Sequence, residues 1–101
     1  MVRQGSVSLR EIPRSGTKLY MKYYTYILKS LKNNNIYIGS TQNIEKRISL
    51  HNSGRVKSTK FYKPWKLLDY EIHNSRSEAV LRERFLKTHQ QKEILKRRYV
   101  A

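Results

Sequence analysis

The stretch Tyr37-Ile38-Gly39-Ser40-Thr41-Gln42-Asn43-Ile44-Glu45-Lys46-Arg47-Ile48-Ser49-Leu50-His51 changes character part-way along. Aromatic and β-branched residues give way to a glycine and a polar turn, then to a helical pattern, so a strand hands over to a helix. Asn43 is a good N-cap and Glu45 falls in the first turn, which starts the helix there with its positive end near the strand terminus. Arg47 and His51 are four apart, share a helix face and point back toward the glycine turn. Tyr26 precedes Tyr37 by eleven residues, and Lys32-Asn33-Asn34-Asn35 between them reads as a turn. A hairpin then brings the two phenols together. Two tyrosines, an arginine and a histidine converge on one spot.

Outward from that spot, residues 22–28 have the tyrosine-rich, β-branched composition of a strand, and 35–39 form its hairpin partner. Leu67 to His73 alternates Leu68, Tyr70 and Ile72 against Asp69, Glu71 and His73, which predicts a third strand with one wet face. The first helix spans about 43–52, and a basic loop, 53–64, follows it. That loop holds Gly54, Arg55, Lys57, Lys60 and Lys63, a set suited to phosphate contacts beside the site. Ser75-Arg76-Ser77-Glu78 is a capping box, opening a helix to about Thr88. A second, strongly basic helical stretch over 90–99 carries Lys92, Lys96, Arg97 and Arg98, with Ile94, Leu95 and Tyr99 as anchors. No repeat or low-complexity block occurs.

The chain has 101 residues, which prescribes one small core and one domain. Residues 1–20 show no period of 2 or 3.6 and contain Gly5, Pro13 and Gly16, so they read as a disordered basic arm, with the folded domain over 21–101. Glu11 and Pro13 spoil the amphipathic helix that a transit peptide needs. Lys and Arg number 22 against 7 Asp and Glu, for a net charge of +15. Such a field draws polyanions, DNA first and RNA second. A membrane is a poor partner, because the mean hydropathy is −0.80 and no run of about 18 apolar residues exists. The chain has no cysteine, which excludes disulfides and cysteine-zinc sites and fits a cytoplasmic location. Among the few acids, Glu45, Asp69, Glu71, Glu78 and Glu83 are too scattered for a two-metal centre, so one lightly held cation is the most they allow. Gly-rich phosphate loops and nucleophile elbows are missing, and no small-molecule cofactor is expected.

Each candidate has a bland counterpart. Either tyrosine alone reads as an ordinary strand aromatic in a chain with eight of them. Their joint register with Arg47 is what singles them out. Arg47 would otherwise be one more exposed cation, but Ile44 and Leu50 place it at the edge of the apolar stripe, and its planar fork of donors suits a phosphoryl transition state. His51 is read three ways: assisting a base, gripping a phosphate, or ending the helix as a favourable partial cation. Glu83 has Ala79, Val80 and Leu86 as helical neighbours, which places it on the buried side of its helix. A buried carboxylate needs a partner, either a metal or an arginine such as Arg47 or Arg84.

The spacing of Tyr26, Tyr37, Gly39, Arg47 and His51 resembles that of the GIY-YIG nucleases. The second motif, Tyr37-Ile38-Gly39, is intact, whereas Tyr24-Thr25-Tyr26 stands where Gly-Ile-Tyr is usual. The helix from Arg76 to Lys87 is similar to the one that carries the family's metal-binding glutamate, which falls on Glu83. The asparagine often found after that helix has no clear counterpart in residues 88–98. The resemblance implies an α/β (α+β) fold, a small three-stranded, mainly antiparallel sheet flanked by helices. It also implies a metal-dependent endonuclease that hydrolyses DNA phosphodiester bonds. In that reading Tyr26 and Tyr37 position or deprotonate water, given cations that lower a phenol pKa, with Arg47 and His51 beside them. Glu83 holds a single Mg²⁺ or Mn²⁺, and Gly39 lies against the nucleic acid. Structure-selective cleavage in repair or recombination is one role open to such an enzyme, as a monomer or weak homodimer. The alternative is a non-cleaving module that binds DNA or structured RNA on the same fold.

Overall fold

A computed structural model describes residues 22–100, so the expected arm lies outside the described residues. The order is β1 (Tyr23–Ser30), β2 (Ile36–Thr41), α1 (Ile44–Asn52), a 3₁₀ turn (Lys60–Tyr62), β3 (Trp65–His73), α2 (Arg76–Leu86) and α3 (His89–Tyr99). The sheet is antiparallel throughout, in the order β2-β1-β3, which leaves β2 at one edge. The hairpin closes through Ser30 and Asn35, with Asn34 at φ 64°, a left-handed conformation that asparagine tolerates well. Asn43 caps α1 by accepting from the Lys46 N–H at 3.1 Å. Ser75 caps α2 through the Glu78 N–H at 3.2 Å, while the Glu78 carboxylate accepts from the Asn74 N–H rather than from the serine's own.

Helices cover both faces of the sheet. Tyr24, Tyr26, Leu28, Leu67 and Tyr70 pack with Ile44 and Ile48 of α1, and Ile27, Ile38 and Leu68 pack with Leu86 of α2 and Leu95 of α3. Each large apolar side chain buried this way contributes roughly 1.5–3 kcal/mol, which makes these two layers the main source of stability.

The third strand departs from its expected wet face. Asp69 is fully buried and Ile72 is 51% exposed. A bulge between Ile27 and Leu28 on the pairing with β3 leaves Leu68 without a partner and shifts the alternation. The second face is then closed by α3, whose Tyr99 hydroxyl donates to Asp69 Oδ2 at 3.1 Å. The buried aspartate is therefore a hydrogen-bond acceptor inside the core, and Tyr99 is pushed up to about 12, first by burial and then by that carboxylate.

Candidate active site

The handover from β2 to α1 shapes the site. Tyr26 on central β1 faces Gly39 on β2 as its register partner. A Cβ at position 39 would lie 2.6 Å from Tyr26 Cζ and collide with the phenol oxygen, so the hydroxyl fills the space that a side chain would take. Gly39 thus has a packing duty, distinct from the nucleic-acid contact expected of it. Tyr37 flanks the same spot with its ring 6.3 Å from that of Tyr26 and 4.9 Å from the His51 ring. Arg47, a turn into α1, points Nε at the Tyr26 hydroxyl at 3.4 Å. His51, one turn further, has Nε2 3.0 Å from the same oxygen. The four residues that the spacing picked out do meet.

The electrostatics run against one expectation. Burial pushes the Tyr26 phenol up to about 12, despite the Arg47 hydrogen bond that pulls the other way. The proton therefore stays on the oxygen at neutral pH. His51 is fully buried, and burial followed by the Arg47 charge lowers its pKa to about 4. It is a neutral imidazole, so the reading as a partial cation at the helix end falls away. Arg47 is stabilised in its charged form, chiefly by the bond to Tyr26.

Sequence reasoning missed one residue here. Thr59 is 1% exposed, and its hydroxyl lies 2.8 Å from His51 Nδ1. Its backbone carbonyl accepts from the Trp65 indole at 3.0 Å, which fixes the threonine in place. The contact depends on the path of the loop after α1, and no periodicity announces it. Arg55, Lys57, Lys60 and Lys63 are exposed on this same loop, around Thr59.

Glu83 comes to β2 from the other face of the sheet. Its carboxylate accepts from Ser40 Oγ at 2.7 Å, next to Gly39, and from Lys87 Nζ at 2.7 Å. Its side chain is 20% exposed, so it lines the rim and is not buried as the helix pattern implied. Its cation is Lys87, one turn on, and neither Arg47 nor Arg84. Such an i,i+4 pair, with the lysine 45% exposed, is worth only about 0.3–0.5 kcal/mol. Two other acids are occupied elsewhere: Glu71 holds Arg82 through two hydrogen bonds, and Glu93 lies 3.7 Å from Lys96. Among the described residues no three His, Asp or Glu side chains gather into a metal cage. One partly exposed carboxylate fits a singly held, hydrated Mg²⁺ or Mn²⁺, for which Glu83 would be the protein ligand.

Lys96, Arg97 and Arg98 are exposed on α3, and Lys92 is half-buried there. They lie on the α2 and α3 side of the sheet, away from Arg47 and His51, so the two basic sets do not share a face. Among the described residues no helix is long and apolar enough to cross a membrane.

The UPF0213 protein of Staphylococcus haemolyticus is 43% identical over 76 residues, covering 74% of this chain and 92% of the relative. Its counterpart in Staphylococcus saprophyticus is 41% identical over 76 residues with the same coverage. A UPF0213 protein of Clostridium perfringens is 43% identical over 65 residues, 63% of this chain and 69% of that protein. None of these names states an activity, and no solved structure matches the chain. The GIY-YIG catalytic domain matches residues 22–99, nearly everything the structure describes, and the chain belongs to that family of nucleases.

Proposed function

We propose that the protein is an endonuclease that hydrolyses phosphodiester bonds in DNA, at a site straddling the edge strand β2. The observation that carries this reading is the Tyr26 hydroxyl held between Arg47 and His51, with Glu83 reaching the same strand from the opposite face. A pure binding surface needs cations there, and has no use for a neutral imidazole on a phenol or for a carboxylate at the rim.

The attacking water enters with the substrate and comes against the two phenols. As it approaches phosphorus, its proton passes to the Tyr26 oxygen while the phenol proton moves to His51 Nε2, so no free phenolate is required of a group whose pKa is about 12. Arg47 faces the phosphoryl oxygens and stabilises the charge that grows on them. Glu83 is the residue that would hold a divalent cation, with Lys87 displaced, and the cation would stabilise the leaving oxygen. Lys57, Lys60 and their neighbours on the loop bind the backbone on the α1 side.

The test is cleavage of branched, nicked, flapped and linear DNA with Mg²⁺ or Mn²⁺, alongside Arg47→Ala and Glu83→Ala. Arg47→Ala is expected to lose about 10²- to 10³-fold in turnover. Equal activity in the wild type and both variants would identify a contaminant and remove the assignment. Tight DNA binding with no cleavage by the wild type under any condition would leave the same fold as a non-cleaving nucleic-acid module.

A further inference from the structure

The loop after α1 does more than present lysines. We infer that Thr59 is a positioning residue: Arg47 and Tyr26 select the Nδ1–H tautomer of His51, and Thr59 accepts that Nδ1 proton, which holds the ring with Nε2 open to receive the Tyr26 proton. The pairing of donors with acceptors supports this assignment. Thr59 Oγ1 has Val56 O as an acceptor at 3.4 Å and His51 Nδ1 at 2.8 Å. Tyr26 Oη already accepts from Arg47 Nε and has His51 Nε2 at 3.0 Å.

If Nδ1 carries the proton, every donor finds an acceptor. Arg47 donates to Tyr26, Tyr26 to His51, His51 to Thr59, and Thr59 to Val56. If Nε2 carries it instead, the phenol oxygen receives two donors, and its own proton has no acceptor among the described residues. A phenol that is 1% exposed tolerates that poorly, since an unmet buried donor costs about 1–3 kcal/mol. With the His51 pKa lowered to about 4, the ring is neutral at working pH and does have a tautomer to choose.

The chemistry depends on that choice. An Nε2–H imidazole cannot accept the phenol proton, so Tyr26 could not take one from water in the same motion. Thr59 touches neither substrate nor the reacting atoms and acts only through the ring. Trp65 holds its carbonyl at 3.0 Å and Val56 receives its hydroxyl, so the 53–64 loop, with the phosphate-binding lysines on either side of Thr59, also sets the base.

The kinetic side of this inference rests on the nuclease reading, whereas the tautomer itself does not. The experiment is ¹⁵N NMR of the imidazole side chains in the full chain near pH 7, with His51 assigned through a His51→Gln variant, for wild type, Thr59→Ser and Thr59→Val. The expected result is a protonated Nδ1 and a bare Nε2 in wild type and Thr59→Ser, and loss of that pattern in Thr59→Val. On cleavable DNA, Thr59→Val should lose on the order of 100-fold in kcat with KM held, and Thr59→Ser should recover it. Should Thr59→Val fail to fold, the wild-type spectrum alone decides, because an Nε2–H ring there overturns the inference. A Thr59→Val protein that keeps the Nδ1–H pattern also overturns it. If no variant cleaves DNA but the shifts follow Thr59, the nuclease reading fails and the positioning role stands.

Discussion

The two sides of the edge strand β2 are built on different principles. On the α1 side, Tyr26 and His51 are buried, uncharged and joined in one chain of hydrogen bonds, into which Arg47 brings a charge. On the α2 side, Glu83 and Lys87 are charged and partly exposed, and they hold each other weakly. The first side is preorganised and resists change. The second side is more adaptable, since Lys87 is 45% exposed and is held only by Glu83 and by its approach to the Tyr37 ring at 5.8 Å. Substitutions on the α1 side should therefore alter stability and chemistry together, and those on the α2 side chemistry alone.

The largest expected stability effect is an acid sensitivity confined to the α1 side. The folded His51 has a pKa of about 4 against an ordinary 6.5, so between those values the unfolded chain binds a proton that the folded chain refuses. Stability is then complete above about pH 6.5 and falls as pH drops through that window, by up to roughly 3 kcal/mol from this residue. Urea unfolding at pH 7, 5.5 and 4.5 should show that slope in wild type and in Glu83→Gln, and a smaller one in His51→Gln. An equal slope in His51→Gln would show that the imidazole is not held neutral by the fold.

A somewhat smaller loss is expected from Gly39→Ala. The new methyl meets the Tyr26 ring, and a buried central-strand tyrosine has little room to withdraw, so overpacking of about 1–3 kcal/mol follows, with reduced turnover. Thermal unfolding and cleavage rates measure both. A stable, fully active Gly39→Ala protein would break the contrast, because the α1 side would then be as adaptable as the α2 side.

The smallest effects concern binding. Neutralising Lys57 or Lys60 should reduce the slope of log affinity against log salt on duplex DNA by about 0.9 for each phosphate no longer neutralised. Lys96 and Arg97, on the far face of the sheet, should change it less. Equal reductions from both sets would show that DNA wraps round the edge strand onto α3.

Much of this was legible in the sequence, for reasons that can be named. The meeting of Tyr26, Tyr37, Arg47 and His51 follows from one hairpin and one helix, both local and both punctuated by strong signals, the Asn33-Asn34-Asn35 turn and the Asn43 cap. Whatever depended on distant segments was read less well. Asp69 looked wet because strict alternation knows nothing of a bulge or of a Tyr99 arriving from thirty residues on. Glu83 looked buried because Ala79 and Leu86 are, yet it sits where α2 meets the rim of the sheet, and its partners Ser40 and Lys87 come from another strand and the next helical turn. Thr59 was invisible because a threonine in a basic loop carries no pattern. Only the fold shows that it ends on a histidine.

The most direct test of a site that spans the edge strand is Glu83→Gln, with DNA affinity, turnover and melting temperature measured on the same preparation. Affinity is expected to equal or exceed that of wild type, because a negative charge has left a strongly positive surface, together with an unchanged melting temperature and lost metal-dependent turnover. A Glu83→Gln protein that loses DNA affinity and thermal stability together would contradict it, since the carboxylate would then be a structural partner of Lys87 and Ser40 and not the residue that holds the cation.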